Sequence, residues 1–381
     1  MTVLQTPTAA SPDDAPVPAA AEPTLALASQ RTLIWRRFKR NKLAVVSLWI
    51  VGFIYFTAAF CEFLAPQTQE TYASDRAYAP PQLMKVSFTS SPHLFVNGYK
   101  GTPNPETLLR DYTVDKSQRY GIRLFAKGDH YKLWGLIPSD RHLIGPSQPG
   151  APFHLLGTDD QGRDNLSRVI YGTRISMSVG LIGVSAALVL GLLLGGISGY
   201  FGGLVDGIVQ RVIEFFMSIP TLPLWLGLAA AVPPGWSALK TYFAITLILS
   251  LIGWTGLARV IRSRFLQIRG EDFVLAAELD GARWHRVVGR HMLPAFTSHI
   301  IASLTLAVPG MILGETALSF LGLGLQAPVV SWGVLLSGAQ SIRVLTAAPW
   351  LLAAGAAVVI AVMALNFVGD GLRDAADPYE S

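Results

Sequence analysis

Chemistry in a protein starts from side chains able to attack, ionise or hold a metal, and in this 381-residue chain few of them are grouped for it. Ser237-Ala238-Leu239-Lys240 has the Ser-x-x-Lys spacing of an acylation nucleophile with its lysine, but the companion motifs are absent, so the match is coincidence. Leu336-Ser337-Gly338-Ala339-Gln340 has the form of a loop that contacts nucleotide in some ATPases. It would mean ATP chemistry only beside a phosphate-cradling Gly-x-x-x-x-Gly-Lys-Ser/Thr, and none exists. The histidines at His93, His130, His142, His154, His285, His291 and His299 show no His-Glu-x-x-His spacing and no cysteine partners, so no metal site is assigned. Asp159, Asp160 and Asp164 lack the 12-residue EF-hand pattern and read as a turn capped by carboxylates.

Composition explains this poverty. Hydrophobic residues make up 51% and charged residues 14%, against about 25% charge in ordinary soluble domains. The net charge of +5 is too sparse and segregated for a nucleic-acid partner. With Cys61 alone, no internal disulfide or cysteine-based cluster forms.

Stretches free of Asp, Glu, Lys and Arg run over 43–61, 175–205, 215–239, 241–258, 295–314, 316–342 and 344–369. A bilayer core about 30 Å thick needs roughly 20 apolar helical residues, so these runs mark membrane crossings. Pro220, Pro223, Pro233 and Pro234 bend and end the third, whose helix begins before Glu214. Gly322, Gly324, Pro328, Gly333 and Gly338 interrupt 316–342, which reads as interfacial or re-entrant. The fold expected is all-α, with six transmembrane helices and both termini cytoplasmic.

Orientation follows from basic residues in short loops. Arg31, Arg36, Arg37, Lys39, Arg40 and Lys42 precede the first span, and Arg259, Arg262, Arg264, Arg269, Arg283, Arg286 and Arg290 lie between the fourth and fifth, so both segments are cytoplasmic. The Ala- and Pro-rich tail 1–30 reads as disordered and cytoplasmic. Residues 31–64 form an amphipathic start and the first span, and 65–170 a small extracytoplasmic insertion with short strands such as the one at Tyr131–Ile137. The core of spans two to six occupies 171–370, and 371–381 is a cytoplasmic tail.

Two acids lie within or at the edge of the spans, and an intramembrane charge is functional by default. Asp206, Arg211 and Glu214 are spaced so that Arg211 pairs with either acid, a structural ion pair. Glu315 falls near the outer end of the fifth span. It either faces the pathway and attracts a cationic group, or snorkels or pairs helices, the structural role being favoured. The scarcity of midplane carboxylates argues against the alternative class, an ion-coupled secondary carrier.

The segment 271–294 reads as two short helices. Glu271 and Asp272 occupy the first turn, and Gly281 ends the first helix as a left-handed cap. In 283–292, Arg283, Arg286 and Arg290 share one face, and Trp284, Val287, Val288 and His291 the opposite one. Small side chains flanked by charge suit insertion into another protein's groove, and an ordinary interfacial elbow is the bland alternative.

This segment resembles the EAA loop of ABC importer permeases through Ala276-Ala277, Gly281 and Leu293-Pro294, with Leu275 where the family has Glu. The runs 154–164, 314–322 and 366–374 resemble the C-type permease of dipeptide and oligopeptide importers. The resemblance implies a type I importer subunit of six spans that hydrolyses nothing and carries no cofactor. Its implied partners are a second permease, two cytoplasmic ATP-binding subunits, an extracytoplasmic peptide-binding protein and membrane lipid. The ATPase-coupling residues it implies are Ala276, Ala277, Glu278, Asp280, Gly281 and Arg283.

Overall fold

The computed structural model of the chain describes residues 30–87, 93–105, 110–148 and 150–376. Residues 1–29 of the tail expected to be disordered and the last residues, 377–381, lie outside the described residues, while Gln30 opens the first helix.

Helix α1 (Gln30–Arg40) leads through Asn41 into α2 (Lys42–Ala59). The Asn41 side chain accepts from the Ala44 N–H at 3.1 Å, an N-cap that separates the two. Only Ala44, Ser47, Val51 and Ala58 of α2 are buried, one narrow stripe, while Trp49 is 77% and Phe53 68% exposed. An apolar helix with so little of its surface covered suits a hydrocarbon solvent.

A four-residue turn, α3 (Cys61–Leu64), leads to the sheet. Strands β1 (Lys85–Ser87), β2 (His93–Pro103), β3 (Arg110–Leu133) and β4 (Ile137–Pro146) form an antiparallel meander in chain order. The long β3 pairs with β2 over its first half and with β4 over its second. The sheet is bolted to the helices: the Trp134 indole N–H donates to the Ala59 carbonyl at 2.6 Å, and His142 Nδ1 lies 2.5 Å from the Ala65 carbonyl.

Helix α4 (Asn165–Phe201) has 37 residues, about 55 Å at 1.5 Å per residue, so it projects well beyond a 30 Å apolar core. It starts six residues before the boundary read for the core, because Asp164 caps it, accepting from the Ser167 N–H at 2.7 Å. Gly191, Gly195 and Gly199 repeat every fourth residue and bring α4 onto α7 (Ala238–Ile268). A Cβ at Gly195 would sit 2.5 Å from the Ala258 carbonyl oxygen, so only glycine permits this approach.

Between them α5 (Gly203–Ser218) and α6 (Thr221–Ala230) meet at 85° across Pro220, a sharper break than the kink expected there. Ser237 caps α7, its hydroxyl accepting from the Lys240 N–H; this is what the Ser-x-x-Lys spacing does. After α8 (Asp272–Leu279), α9 (Trp284–Arg286), a π-helical turn at Val287–Met292 and α10 (Leu293–Ala295), the chain enters α11 (Thr297–Phe320). The short helices α12 (Trp332–Ser337) and α13 (Ile342–Ala347) precede α14 (Ala353–Ala376), which runs on into the segment read as a tail.

Among the described residues, five helices are long and apolar enough to span a membrane, and α5 with α6 makes a sixth if a bent pair counts as one span. Their shared core gathers Met177, Leu249, Trp254, Met311, Ile312 and Trp332.

Candidate functional site

The α7–α11 connection is built as a short helix on a fixed base. Val274 and Ala277 of α8 are buried against Ile261 and Phe265 of α7, Val287 and Met292 of the π-turn, and Phe296 and Ile300. At 100° per residue, Leu275, Ala276 and Leu279 point the opposite way. Leu275 is 45% and Leu279 88% exposed, so the helix turns an apolar face away from the body. Glu278 lies to one side, where its carboxylate accepts from the Tyr200 hydroxyl of α4 at 2.8 Å.

Gly281 has φ +76°, and around it the Gly281 N–H donates to Glu278 O and the Ala282 N–H to Ala277 O. This is a Schellman closure of α8, with the glycine at the left-handed position expected of it. Asp280 is the C-cap and Arg283 the N-cap of α9, both exposed. Of the six residues assigned to coupling, then, Ala277 is turned into the protein, and the other five lie at the surface.

The second piece departs from its expected face. Its π-helical turn puts Val287 and Met292, five residues apart, on the buried side, whereas Trp284 is 46% exposed. Trp284 instead packs on the Phe201 ring at 5.8 Å, beside the α4–α5 elbow.

That elbow carries a salt bridge different from the one expected. Arg211 does bind Glu214, at 2.9 Å, but on an exposed face. Asp206 takes Arg262 of α7 as partner in a bidentate pair, with Ser198 donating to the same carboxylate. No sequence spacing ties Arg262 to Asp206, 56 residues away. Together, Tyr200 with Glu278 and Arg262 with Asp206 tie α8, α7, α4 and α5 to one another.

At the other end of α11, Glu315 is fully buried. Ser176, Ser319 and Ser331 donate to its carboxylate at 3.2, 2.8 and 2.7 Å. Each serine also accepts a backbone N–H, from Trp332, Leu325 and Val334 respectively. The carboxylate thus staples α12 and the loop before it to α4 and α11. The interrupted segment 316–342 is thereby packed on the bundle, its first five residues completing α11.

A third acid near the spans is Glu62, which no motif or helical spacing singles out. It is 8% exposed and takes two hydrogen bonds from Arg174, at 2.5 and 2.6 Å, while Arg174 Nε and Nη2 also donate to the Ala58 and Ala59 carbonyls. Burial pushes the Glu62 carboxyl up, but the Arg174 guanidinium outweighs it and holds the group below the usual range. On the same side Asp159 accepts from the Gln161 and Arg163 N–H groups and from both arginine side chains nearby, Arg163 and Arg168, as a carboxylate-capped turn does.

The chain is similar to known transport proteins. The family model described as "Binding-protein-dependent transport system inner membrane component" matches residues 188–379, and "N-terminal TM domain of oligopeptide transport permease C" matches 29–81. The chain is 38% identical to the dipeptide transport system permease protein DppC of Alkalihalophilus pseudofirmus, over 63% of this chain and 75% of that one. It is 36% identical to the oligopeptide transport system permease protein OppC of Bacillus subtilis, over 63% and 76%. The DppC protein of Bacillus subtilis is 31% identical over 90% of this chain and 84% of its own. Among solved structures, a chain of the MetNI methionine ABC transporter in an inward-facing conformation is similar over 55% of this chain and 96% of its own, at 17% identity and a TM-score of 0.43.

Proposed function

Because the chain belongs to the family of binding-protein-dependent transport system inner membrane components, we propose that it is one of two permease subunits forming the translocation pathway of an ATP-driven importer for peptides or peptide-like compounds. The names of its relatives, dipeptide and oligopeptide permeases, support that substrate class. In this reading two cytoplasmic ATP-binding subunits hydrolyse ATP, and an extracytoplasmic peptide-binding protein delivers substrate to the side carrying residues 65–170. Both termini and the 271–294 segment are cytoplasmic in the plasma membrane, as the distribution of Arg and Lys in short loops supports.

One observation carries the proposal: the outward apolar face of α8, Leu275, Ala276 and Leu279, stands on a base packed into α7 and α11. An ATPase cleft that receives this face moves α8, and the close-packed base leaves α8 no freedom to move alone. Glu278 with Tyr200 and Asp206 with Arg262 extend the same displacement to α4 and α5. ATP-driven closure of the ATPases is thereby converted into rigid-body rearrangement of the spans.

The test is isolation of the complex from native membranes with cysteine at Leu279 for crosslinking, together with Lys100→Cys and His285→Cys for labelling. Crosslinks from 279 to an ATPase, with impermeant reagent reaching 100 but not 285 in intact cells, are expected. An isolated chain that moves substrate down an ion gradient without ATPases refutes the assignment.

A further inference from the structure

A groove of about 300 Å³ lies where α1 meets the start of α11 and the end of α14. Its walls are Ile34, Trp35 and Phe38 of α1, Ile301 of α11, and Leu372 and Ala376 of α14, with the Thr297 and Ser298 hydroxyls at one end. Nothing in the transport reading uses it.

We propose that this groove holds an anionic phospholipid of the cytoplasmic leaflet, one acyl chain between the helices and the phosphate at the basic edge of α1. The site rests on the orientation given above but on no partner subunit. Charge complementarity selects the ligand. Arg37 and Lys39 are exposed on the flanks of the Ile34, Trp35 and Phe38 face, whereas Arg36 and Arg40 lie on the far side of α1. The Lys39 ammonium stands 5.2 Å over the Trp35 ring, so a cation is held against the groove wall. The nearby acids of α14, Asp370 and Asp374, are exposed and each sits two residues from Leu372, about 160° around the helix, so they face away from the groove. Trp35 is 47% exposed seven residues before the start of α2, and indole rings favour the headgroup region that borders a span. An apolar slot opening beside three helix ends, with the Lys39 ammonium against its Trp35 wall, matches a chain-plus-phosphate ligand better than a soluble anion, which has no use for the slot.

Native mass spectrometry of the full chain in detergent, with whatever subunits accompany it from the membrane, tests this, with phosphatidylglycerol and phosphatidylcholine of identical chains. Wild type is expected to retain one phosphatidylglycerol and no matching phosphatidylcholine. Lys39→Gln weakens retention about fivefold, the loss of one surface cation, and Ile301→Trp, which fills the slot, abolishes it. Equal retention of both lipids, or phosphatidylglycerol held undiminished by both variants, overturns the proposal. Where Ile301→Trp does not assemble, Trp35→Ala decides in its place, because its side chain is half out of the fold already. The lipid count is read whether or not the complex transports peptide, so it fails or succeeds independently of the importer reading.

Discussion

Leu279 separates docking from folding more cleanly than any other residue of α8. It is 88% exposed on the chain alone, two residues after Ala277, which is 9% exposed on the opposite face. If the outward face enters an ATPase cleft, Leu279 goes from water to an apolar site, and full burial of a leucine is worth about 1.5–3 kcal/mol. Leu279→Ala forfeits most of that, about 2 kcal/mol, so ATPase affinity falls roughly thirtyfold. Leu279→Asp adds the cost of desolvating a carboxylate, and the complex is lost. Neither substitution lowers the thermal stability of the chain, because the side chain has few neighbours to lose. Ala277→Asp does the reverse, forcing a charge in among Val274, Phe265 and Met292 and destabilising the chain before any partner binds. The assay is ATPase binding to the reconstituted chain, with ATP-driven uptake and thermal unfolding measured on the same preparations. Wild-type ATPase affinity in Leu279→Asp refutes the assignment of this face.

The remaining expectations concern what holds the spans in place. Gly195→Ala places a Cβ 2.5 Å from the Ala258 carbonyl, so overpacking costs about 1–3 kcal/mol and lowers the unfolding temperature, while Gly196→Ala, whose Cβ finds only the Phe265 ring at 3.8 Å, is tolerated; equal unfolding temperatures contradict the close approach. Glu315→Gln turns an amide N–H₂ toward serines that now donate, costing about 1–3 kcal/mol of stability; a fall in uptake at unchanged stability assigns Glu315 to the pathway instead. The Glu62 carboxyl titrates lower in the folded chain than in the unfolded one, so its stabilisation is complete above the ordinary glutamate pKa of about 4.3 and disappears as pH falls through the lower folded value. Unfolding temperatures between pH 3 and 7 are therefore expected to drop at the acid end in wild type and less so in Glu62→Gln; identical profiles contradict the pairing with Arg174.

Much of this was legible from one-dimensional signals. The lengths of uncharged runs announced the spans, since the bilayer imposes a length on any helix that crosses it. Pro220 announced the α5–α6 break, and Gly281 the end of α8, because both act through their own backbone. The Gly191, Gly195 and Gly199 row is a one-dimensional signal of the same kind, small residues repeating at the helical spacing where α4 meets α7. The π-turn misled the wheel drawn for 283–292, since a helical wheel presumes the very periodicity that the turn interrupts.

Backbone-local chemistry and the solvent of each segment are written into consecutive residues, so the sequence by itself determined a polytopic chain, its likeness to importer permeases, and a capped helix with small residues in the 271–294 loop. The partners of its charges were decided only by the tertiary structure. Asp206 faces Arg262 and not Arg211, Glu315 meets serines 139 residues before and 16 after it, and Ala277 turns inward while Leu279 turns out. A carboxylate takes whatever donor the packing brings within 3 Å, and packing is set by how whole helices stack, which no spacing along the chain encodes.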